Sequence, residues 1–369
     1  MARFEPVSGG VSRLAAAAAA SLWGGRLALE QAITRLQFVQ YDPIRRPARA
    51  QDLILHQRVA NYRLGDLEVA YGRLGLEEGA LHVYGAMTSD LAAMVHCLRA
   101  SVDEYTPTGL AAQVLQVVAE HGTVHPNLVR DALGARTVRN DWGGASSATT
   151  RALDELHQHR LLRIAGREQG VKLYELAVPP KAVADREECL KRAVLQVARL
   201  LAPVPLGSLR AALRPIVRDL APRATAMIAE LIESGRLLGG SADGVEYVWP
   251  YSFALDAQWP ADKAVILAPF DPIVWDRKRF EHLWGWRYVF EAYTPAVRRR
   301  FGYYALPLFF DGKAVGWTEC ERDSQKLSAR VGFIDGYPSG RRFRTAITHE
   351  LENLATMVGA SVSAIRLPR

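Results

Sequence analysis

HRLLRIAG at residues 159–166 and GRLLGGSA at residues 235–242 are one joint written twice. Each leaves a helical stretch through a basic residue and a leucine pair, then enters a strand-like run that contains glycine. Upstream of the first joint lie LAAQVLQVVAEHG (110–122), a helix ending at glycine, and VHPNLVRDALG (124–134), a short second helix. SSATTRALDELHQHR (146–160) is a third helix, with serines available as N-caps. LLRIAGREQGVKLYELA (161–177) reads as two apolar strands around a polar, glycine-bearing tip. Upstream of the second joint the order returns: CLKRAVLQVARLLA, PLGSLRAALR, TAMIAELIESG, and then the hairpin RLLGGSADGVEYVWP ending at Pro250. Three helices followed by a hairpin is the order of a winged helix. Two are expected in tandem, at 106–178 and 185–250, joined by the linker VPPKAVADREE (178–188). A winged helix reads DNA or serves as a protein–protein module, and two copies in a basic chain favour DNA.

The flanks differ from this repeat. Residues 1–105 read as a mainly helical region, with an apolar helix at 11–22, LALEQAITRL (27–36) at helical spacing and a helix over AQDLILHQRVANY (50–62). A third, more distorted winged helix fits there. From 255 to 369 the texture turns to strand. AVILAPFDPIVW, RYVFEAYT, FGYYALPLFF, KAVGWTECE and LSARVGFID are rich in Val, Phe, Tyr and Ile, and Asp311-Gly312 sits between two such runs as a hairpin turn. FRTAITHELENLATMVGA is one helix and VSAIRL a last strand. The expected fold class is α+β: tandem winged-helix motifs followed by a small β-barrel-like C-terminal domain.

Composition narrows the function. The chain has 369 residues, is 49% hydrophobic and carries a formal net charge of +7. That composition builds packed cores, and the charge suits a polyanionic partner. Three isolated cysteines imply neither a disulfide framework nor a zinc site, and read as a reducing cytosol. LAAAAAASLWGG near the N-terminus lacks a basic n-region and a clean cleavage site, so a buried helix is the better reading than a signal peptide. No apolar run reaches the length of a membrane span. There is no glycine-rich phosphate loop, HExxH, EF-hand or kinase set, and the nine histidines are scattered. No metal and no cofactor are expected.

The odd stretch is LQFVQYDPIRRPAR (36–49), where an apolar run ends in Gln40-Tyr41-Asp42 and a cluster of arginines follows. If residues 36–42 are extended, Gln40 and Asp42 share a face. An amide and a carboxylate placed so can hold a water, and Asp42 can stabilise positive charge developing at a sugar C1′. The plainer reading is that Asp42-Pro43 starts a turn and Gln40 satisfies backbone. The cations also admit two readings. Arg45, Arg46, Arg49 and Arg58, with Arg277 and Lys278 of DRKRF and Arg298, Arg299 and Arg300 of AVRRRFGYY, neutralise phosphates or form a solvated face.

Two segments carry a resemblance. RLQFVQYDPIRRPARAQDLILHQR (35–58) holds the Gln-x-Asp motif, and LAPFDPIVWDRKRFEHLWGWRYVFEAYTPAVRRRFGYYALPLFFDGKAVGW (267–317) is a long characteristic block. With the tandem winged helices between them, the chain resembles the winged-helix DNA glycosylases of the AlkZ/YcaQ type, in their Gln-x-Asp branch. The resemblance implies a cradle for double-stranded DNA and excision of N7-alkylated purines, including bulky adducts and interstrand crosslinks. It implies that Asp42 orients or deprotonates water and stabilises the cationic sugar, that Gln40 positions that water, and that Arg49 and Arg58 fall on the family's arginines. Nearby arginines would keep Asp42 ionised. Two departures lie near the site: a histidine of the family is missing from VYGAMTSDL (83–91), where Gly85, Ala86 and Met87 stand, and PIRRP has two prolines and two adjacent arginines. The rival class is a non-enzymatic winged-helix DNA-binding protein, such as a transcription regulator. A regulator needs a dimer interface, and no heptad repeat is visible, so a cytoplasmic monomer is expected.

Overall fold

Six consecutive alanines, the best helix formers, close the helix α1 (Gly10–Ala20), whose Leu14, Ala17, Ala18 and Ala19 are fully buried. The computed structural model describes residues 4–21, 26–99, 105–139, 145–178, 185–336, 338 and 340–368. α2 (Leu29–Leu36) stops at Gln37, whose φ of 57° turns the chain into β1 (Phe38–Gln40). α3 (Ala50–His56) is buried along its whole length. It ends six residues before the expected Tyr62, because Leu27 takes the next backbone groups: its N–H donates to Arg58 O and its carbonyl accepts from Ala60 N, both at 2.9 Å.

Two compact units result, Leu67–Cys189 and a second made of Met1–Asp66 with Leu190–Arg369. These divisions fall elsewhere than the segment boundaries read from sequence at 105 and 185. The 67–189 unit begins with α4 (Asp66–Ala70), β2 (Leu76–Ala80), β3 (Tyr84–Thr88) and α5 (Ser89–Arg99). The hairpin β2–β3 stands where mainly helix was expected. Gly79 pairs with Gly85 across it, and a Cβ at Gly79 would meet the end of the Met87 side chain at 2.8 Å, the close approach that places glycine within a strand. Arg167 and Glu78 form a buried ion pair in this unit, with nitrogen–oxygen distances of 2.8 and 2.6 Å.

The repeated order then follows. α6 (Gly109–His121), α7 (Pro126–Leu133), β4 (Thr137–Arg139), β5 (Ala145–Ser147), α8 (Ala148–Gln158), β6 (Leu162–Glu168) and β7 (Val171–Leu176) make the first copy. Val114, Val118, Val129, Leu153, Leu156, Ile164 and Tyr174 form its core. The β4–β5 pair was not foreseen, because three-residue strands leave no readable pattern. Of the expected linker 178–188, residues 179–184 lie outside the described residues, and α9 (Arg186–Leu200) already takes the last three. β8 (Val204–Pro205), α10 (Leu206–Val217), α11 (Ala221–Glu233), β9 (Leu237–Ala242) and β10 (Val245–Pro250) complete the second copy. The copies share a detail beyond their order. A short segment before the second helix pairs with the return strand of the hairpin: Val124 with Tyr174 in the first, Val204 with Val248 in the second.

The remainder is β11 (Ala264–Ile266), α12 (Arg277–Trp284), β12 (Leu306–Phe310), β13 (Lys313–Asp323), β14 (Lys326–Phe333), α13 (Arg341–Met357) and β15 (Ser361–Arg366). The strands lie in sequence order as one five-stranded sheet, antiparallel except for the parallel pair β14–β15. It is a curled half-barrel, and the whole fold is α+β. The Asp311-Gly312 turn joins β12 to β13 with φ of 47° and 77°, the left-handed pair a tight hairpin needs. RYVFEAYT (287–294) is not a strand. Side chains hold this segment instead: the Tyr288 hydroxyl donates to Ala305 O at 2.6 Å, and the Glu291 carboxylate accepts the N–H groups of Arg300, Phe301 and Gly302. Phe280, Trp286, Tyr288, Phe301 and Phe309 pack beneath it as an aromatic core.

Candidate active site

Gln40 is the last residue of β1, and the chain bends at Pro43. The strand therefore stops two residues short of Asp42, and the extended run expected over 36–42 is not formed. Asp42 starts a turn: its Oδ1 accepts from Ile44 N at 2.9 Å, the bond by which an aspartate side chain mimics backbone. The plainer sequence reading of Asp42-Pro43 thus holds, but it uses only one carboxylate oxygen. Among the described residues neither the other oxygen nor the Gln40 amide has a hydrogen-bond partner, and both side chains are half-buried.

Burial pushes the Asp42 carboxyl above its ordinary value, and only the Ile44 N–H opposes the shift. This corrects the expectation that nearby arginines keep Asp42 ionised. The arginines have other partners. Arg46 binds Glu321 at 2.9 Å and lies over the Tyr303 ring at 5.6 Å from its centroid. Arg299 covers the same ring at 5.0 Å while its Nε donates to Thr294 O at 2.7 Å. Arg45 is exposed, and Arg49 is the half-buried residue that caps α3. The cis peptide Arg46–Pro47 lies between them.

The remaining cations sort into two groups. Arg58 is held inside by Asp271, with nitrogen–oxygen distances of 2.7 and 3.0 Å, and also donates to Ile54 O. Arg277 donates to Val274 O and Pro269 O, at 2.7 and 2.9 Å, and stacks over Tyr288 at 4.5 Å. Both were expected at a phosphate, and both have their donors turned to the protein interior. Lys278, Arg298 and Arg300 are exposed and form no ion pair among the described residues. Tyr293 and Val297, in the same loop, are 85% and 95% exposed, so the arginines stand beside an apolar tip.

Sequence reasoning missed two tyrosines near the turn that carries Asp42. Tyr303 packs between Arg46 and Arg299, which ties the 296–304 loop to the turn that carries Asp42. Tyr304, next along, is buried, and the Asp42 carboxylate helps hold its hydroxyl protonated. The signal was present in the paired tyrosines that follow Arg298-Arg299-Arg300. Gly85, Ala86 and Met87, where the family's histidine was missed, lie buried in β3. No cluster of His, Cys, Asp and Glu among the described residues could hold a metal ion, and no helix among them is long and apolar enough to cross a membrane.

Two comparisons bear on this arrangement. The solved structure of Streptomyces sahachiroi DNA glycosylase AlkZ superposes with a TM-score of 0.65 at 14% sequence identity, covering 98% of this chain and 100% of that one. At that identity the likeness is one of fold. The profile of the AlkZ-like DNA glycosylases matches residues 33–357, a span that includes Gln40-Tyr41-Asp42, both helical repeats and most of the half-barrel. With a match over that much of its length, the chain belongs to the AlkZ-like DNA glycosylase family.

Proposed function

We propose that this chain is a monofunctional DNA glycosylase that hydrolyses the N-glycosidic bond of N7-alkylated purines in duplex DNA, bulky adducts and interstrand crosslinks included. The observation that carries the reading is the state of Asp42. It is a half-buried carboxylate with one oxygen held by the turn, one without a partner, and no cation among the causes of its raised pKa. Such a carboxylate is a stronger base than an exposed one, and it sits two residues from an unpartnered amide.

The chemistry balances on these groups alone. An N7-alkylated guanine is already cationic, so the C1′–N9 bond breaks with its electron pair leaving on a base that becomes neutral. The sugar passes through an oxocarbenium-like state, which the Asp42 carboxylate stabilises. Gln40 holds the water, whose oxygen bonds to C1′ and whose proton passes to Asp42. No lysine is required, so the product is an abasic site and not a nicked strand.

The two helical repeats act as winged helices in this reading, supported by the strand pairing they share with the hairpin. The phosphate contacts are Arg45, Arg46, Arg49, Lys278, Arg298, Arg299 and Arg300. Arg58 and Arg277 leave that set and hold the frame. Each enzyme works as a monomer on the nucleoid. Purified protein incubated with duplexes bearing N7-methylguanine or a nitrogen-mustard crosslink, then treated with alkali, is expected to reveal abasic sites on both. Intact strands on both substrates would overturn the reading.

A further inference from the structure

Arg210 and Arg214 stand one turn apart on α10, and among the described residues their side chains form no hydrogen bond and no ion pair. Residues four apart share a helix face, where like charges repel. Nothing on the helix offsets that repulsion, since its sequence LGSLRAALRPIV holds two arginines and no acid. Arg210 is half-buried and Arg214 exposed, and both line a cavity of about 240 Å³ between α10 and α11. Leu213, Val217, Ala224 and Ile228 supply apolar walls, and Thr225 is the only further polar side chain among the described residues that line it. That volume is below the roughly 300 Å³ at which small-molecule pockets begin. Two guanidinium groups with no counterion beside so small a space suit one compact anionic group, and their forks match phosphate oxygens.

The other two elements that a helical repeat of this kind can offer to DNA have the wrong sign here. The third helix, α11, holds one arginine and two glutamates, and Arg223 is bound to Glu230 through both terminal nitrogens, at 2.7 and 3.0 Å. The hairpin, residues 237–250, carries Asp243 and Glu246 and no cation. Its β9 edge is also covered by the chain's own N-terminal segment. Val7 N–H donates to Ser241 O and Ser241 N–H to Glu5 O, each at 2.9 Å, and a Cβ at Gly239 would strike the Phe4 ring. Resting on the glycosylase reading, we propose that the second helical repeat meets the duplex through α10, with Arg210 and Arg214 gripping backbone phosphates at the mouth of the cavity. The contact is to phosphate and not to base edges, so it positions the duplex without selecting sequence. An enzyme whose target is a lesion in any sequence needs a grip of that kind.

Binding, and not excision, is the readout, so the outcome does not depend on the chemistry at Asp42. Full-length protein is titrated against a fluorescent, undamaged duplex over a series of salt concentrations, as wild type, as Arg210→Ala/Arg214→Ala and as Arg223→Ala. Each phosphate neutralised contributes about 0.9 to the slope of log affinity against log salt. The double variant is expected to show a slope shallower by about two, with the same loss of affinity on duplexes of unrelated sequence. Arg223→Ala, which alters the third helix instead, is expected to keep the wild-type slope. Neither arginine of α10 has a partner in the protein to lose, so the urea midpoint of the double variant is expected to stay or rise. Arg214→Ala alone, at the exposed position, repeats the measurement with a slope shallower by about one. An unmoved slope in either α10 variant would overturn the proposal. So would a shallower slope in Arg223→Ala, or a loss confined to one duplex sequence, since either would return the contact to a base-reading helix. A shallower slope in the α10 variants of a protein whose wild type releases no N7-methylguanine would keep the α10 contact and overturn the glycosylase reading.

Discussion

Tyr41-Asp42-Pro43-Ile44 and Phe270-Asp271-Pro272-Ile273 are the same local sentence, aromatic-Asp-Pro-Ile, written 229 positions apart by the difference of Asp271 and Asp42. Both fold into the same turn. Asp42 Oδ1 accepts from Ile44 N at 2.9 Å, and Asp271 Oδ1 accepts from Ile273 N at 3.0 Å. What separates them is one arginine. Asp271 is fully buried and receives both guanidinium nitrogens of Arg58. Asp42 is half-buried and receives none. A carboxylate with a bidentate arginine is neutralised in place and serves the frame. The same carboxylate without one keeps its charge available, at the cost of a raised pKa. The local sequence makes the turn in both places, and the tertiary partner decides whether the aspartate is a rivet or is left without a cation, as the proposed base must be.

The largest expected effect exploits that difference. Asp42→Asn keeps an oxygen for the Ile44 N–H but removes the proposed base, and excision is expected to fall by about 100-fold to 10,000-fold. The fold is expected to remain. The direction follows from linkage. The Asp42 pKa is raised above its unfolded value, so the folded state holds its proton more tightly, and stability is lost as pH rises from the ordinary carboxylate range through the raised value. At neutral pH the ionised Asp42 therefore subtracts from stability, and Asn relieves it. A urea midpoint clearly below that of the wild type would assign Asp42 to the frame with Asp271.

Asp271→Asn is the converse. It leaves the Arg58 cation in the interior without its partner, and unfolding is expected to become easier by about 3–5 kcal/mol, read from the urea midpoint at constant slope. Equal stability of Asp271→Asn and wild type would break the comparison at its other end.

The rate profile gives a third test, on the unmodified protein. Catalysis through an ionised Asp42 rises with pH as the carboxyl loses its proton. Because burial raises that pKa, the acid limb is expected above 3.8, the ordinary value of an aspartate. A limb at or below that value would mean that a cation reaches Asp42 in the complex with DNA, and would make it resemble Asp271 after all.

How much of this was readable in advance depends on range. Asp311-Gly312 announced its hairpin because the two left-handed residues the turn needs are adjacent in sequence. The two helical repeats were legible from helix spacing and from their common joint with the hairpin. The β2–β3 hairpin was not, since its strands are five residues each and their residues fit a helix nearly as well. Gln40 and Asp42 stood out by type, but the extended run supposed over 36–42 is shorter: Gln37 turns the chain by its own left-handed φ and the strand covers only Phe38–Gln40. The roles of the arginines were the least legible. Arg46 and Arg58 look alike in sequence, and only the partners Glu321 and Asp271, 275 and 213 residues away, distinguish them. Asp271 itself was in plain view within FDPIVW and was passed over, because nothing local marks an aspartate as the partner of a distant cation.

Arg46 provides the smallest expected effect on the folded protein and, set against Arg58, the finest test of the comparison. The Arg46–Glu321 pair is exposed on both sides, 46% and 72%, and such a pair contributes about 0–1 kcal/mol. Arg46→Ala is therefore expected to leave the urea midpoint almost unmoved. Its effect should appear only with DNA. A cation that leaves Glu321 for a phosphate releases one counterion, so the slope of log affinity against log salt is expected to become shallower by about one on substitution. Arg58→Ala is expected to behave the opposite way. Stability falls, since Asp271 is left buried without its cation, while the salt slope of the protein that remains folded stays that of the wild type. Should the two variants exchange signatures, with Arg46→Ala unstable and Arg58→Ala shallower in salt, the distinction between the two Asp-Pro turns would fail, because Arg58 would then face the nucleic acid and Asp271 would have no cation of its own.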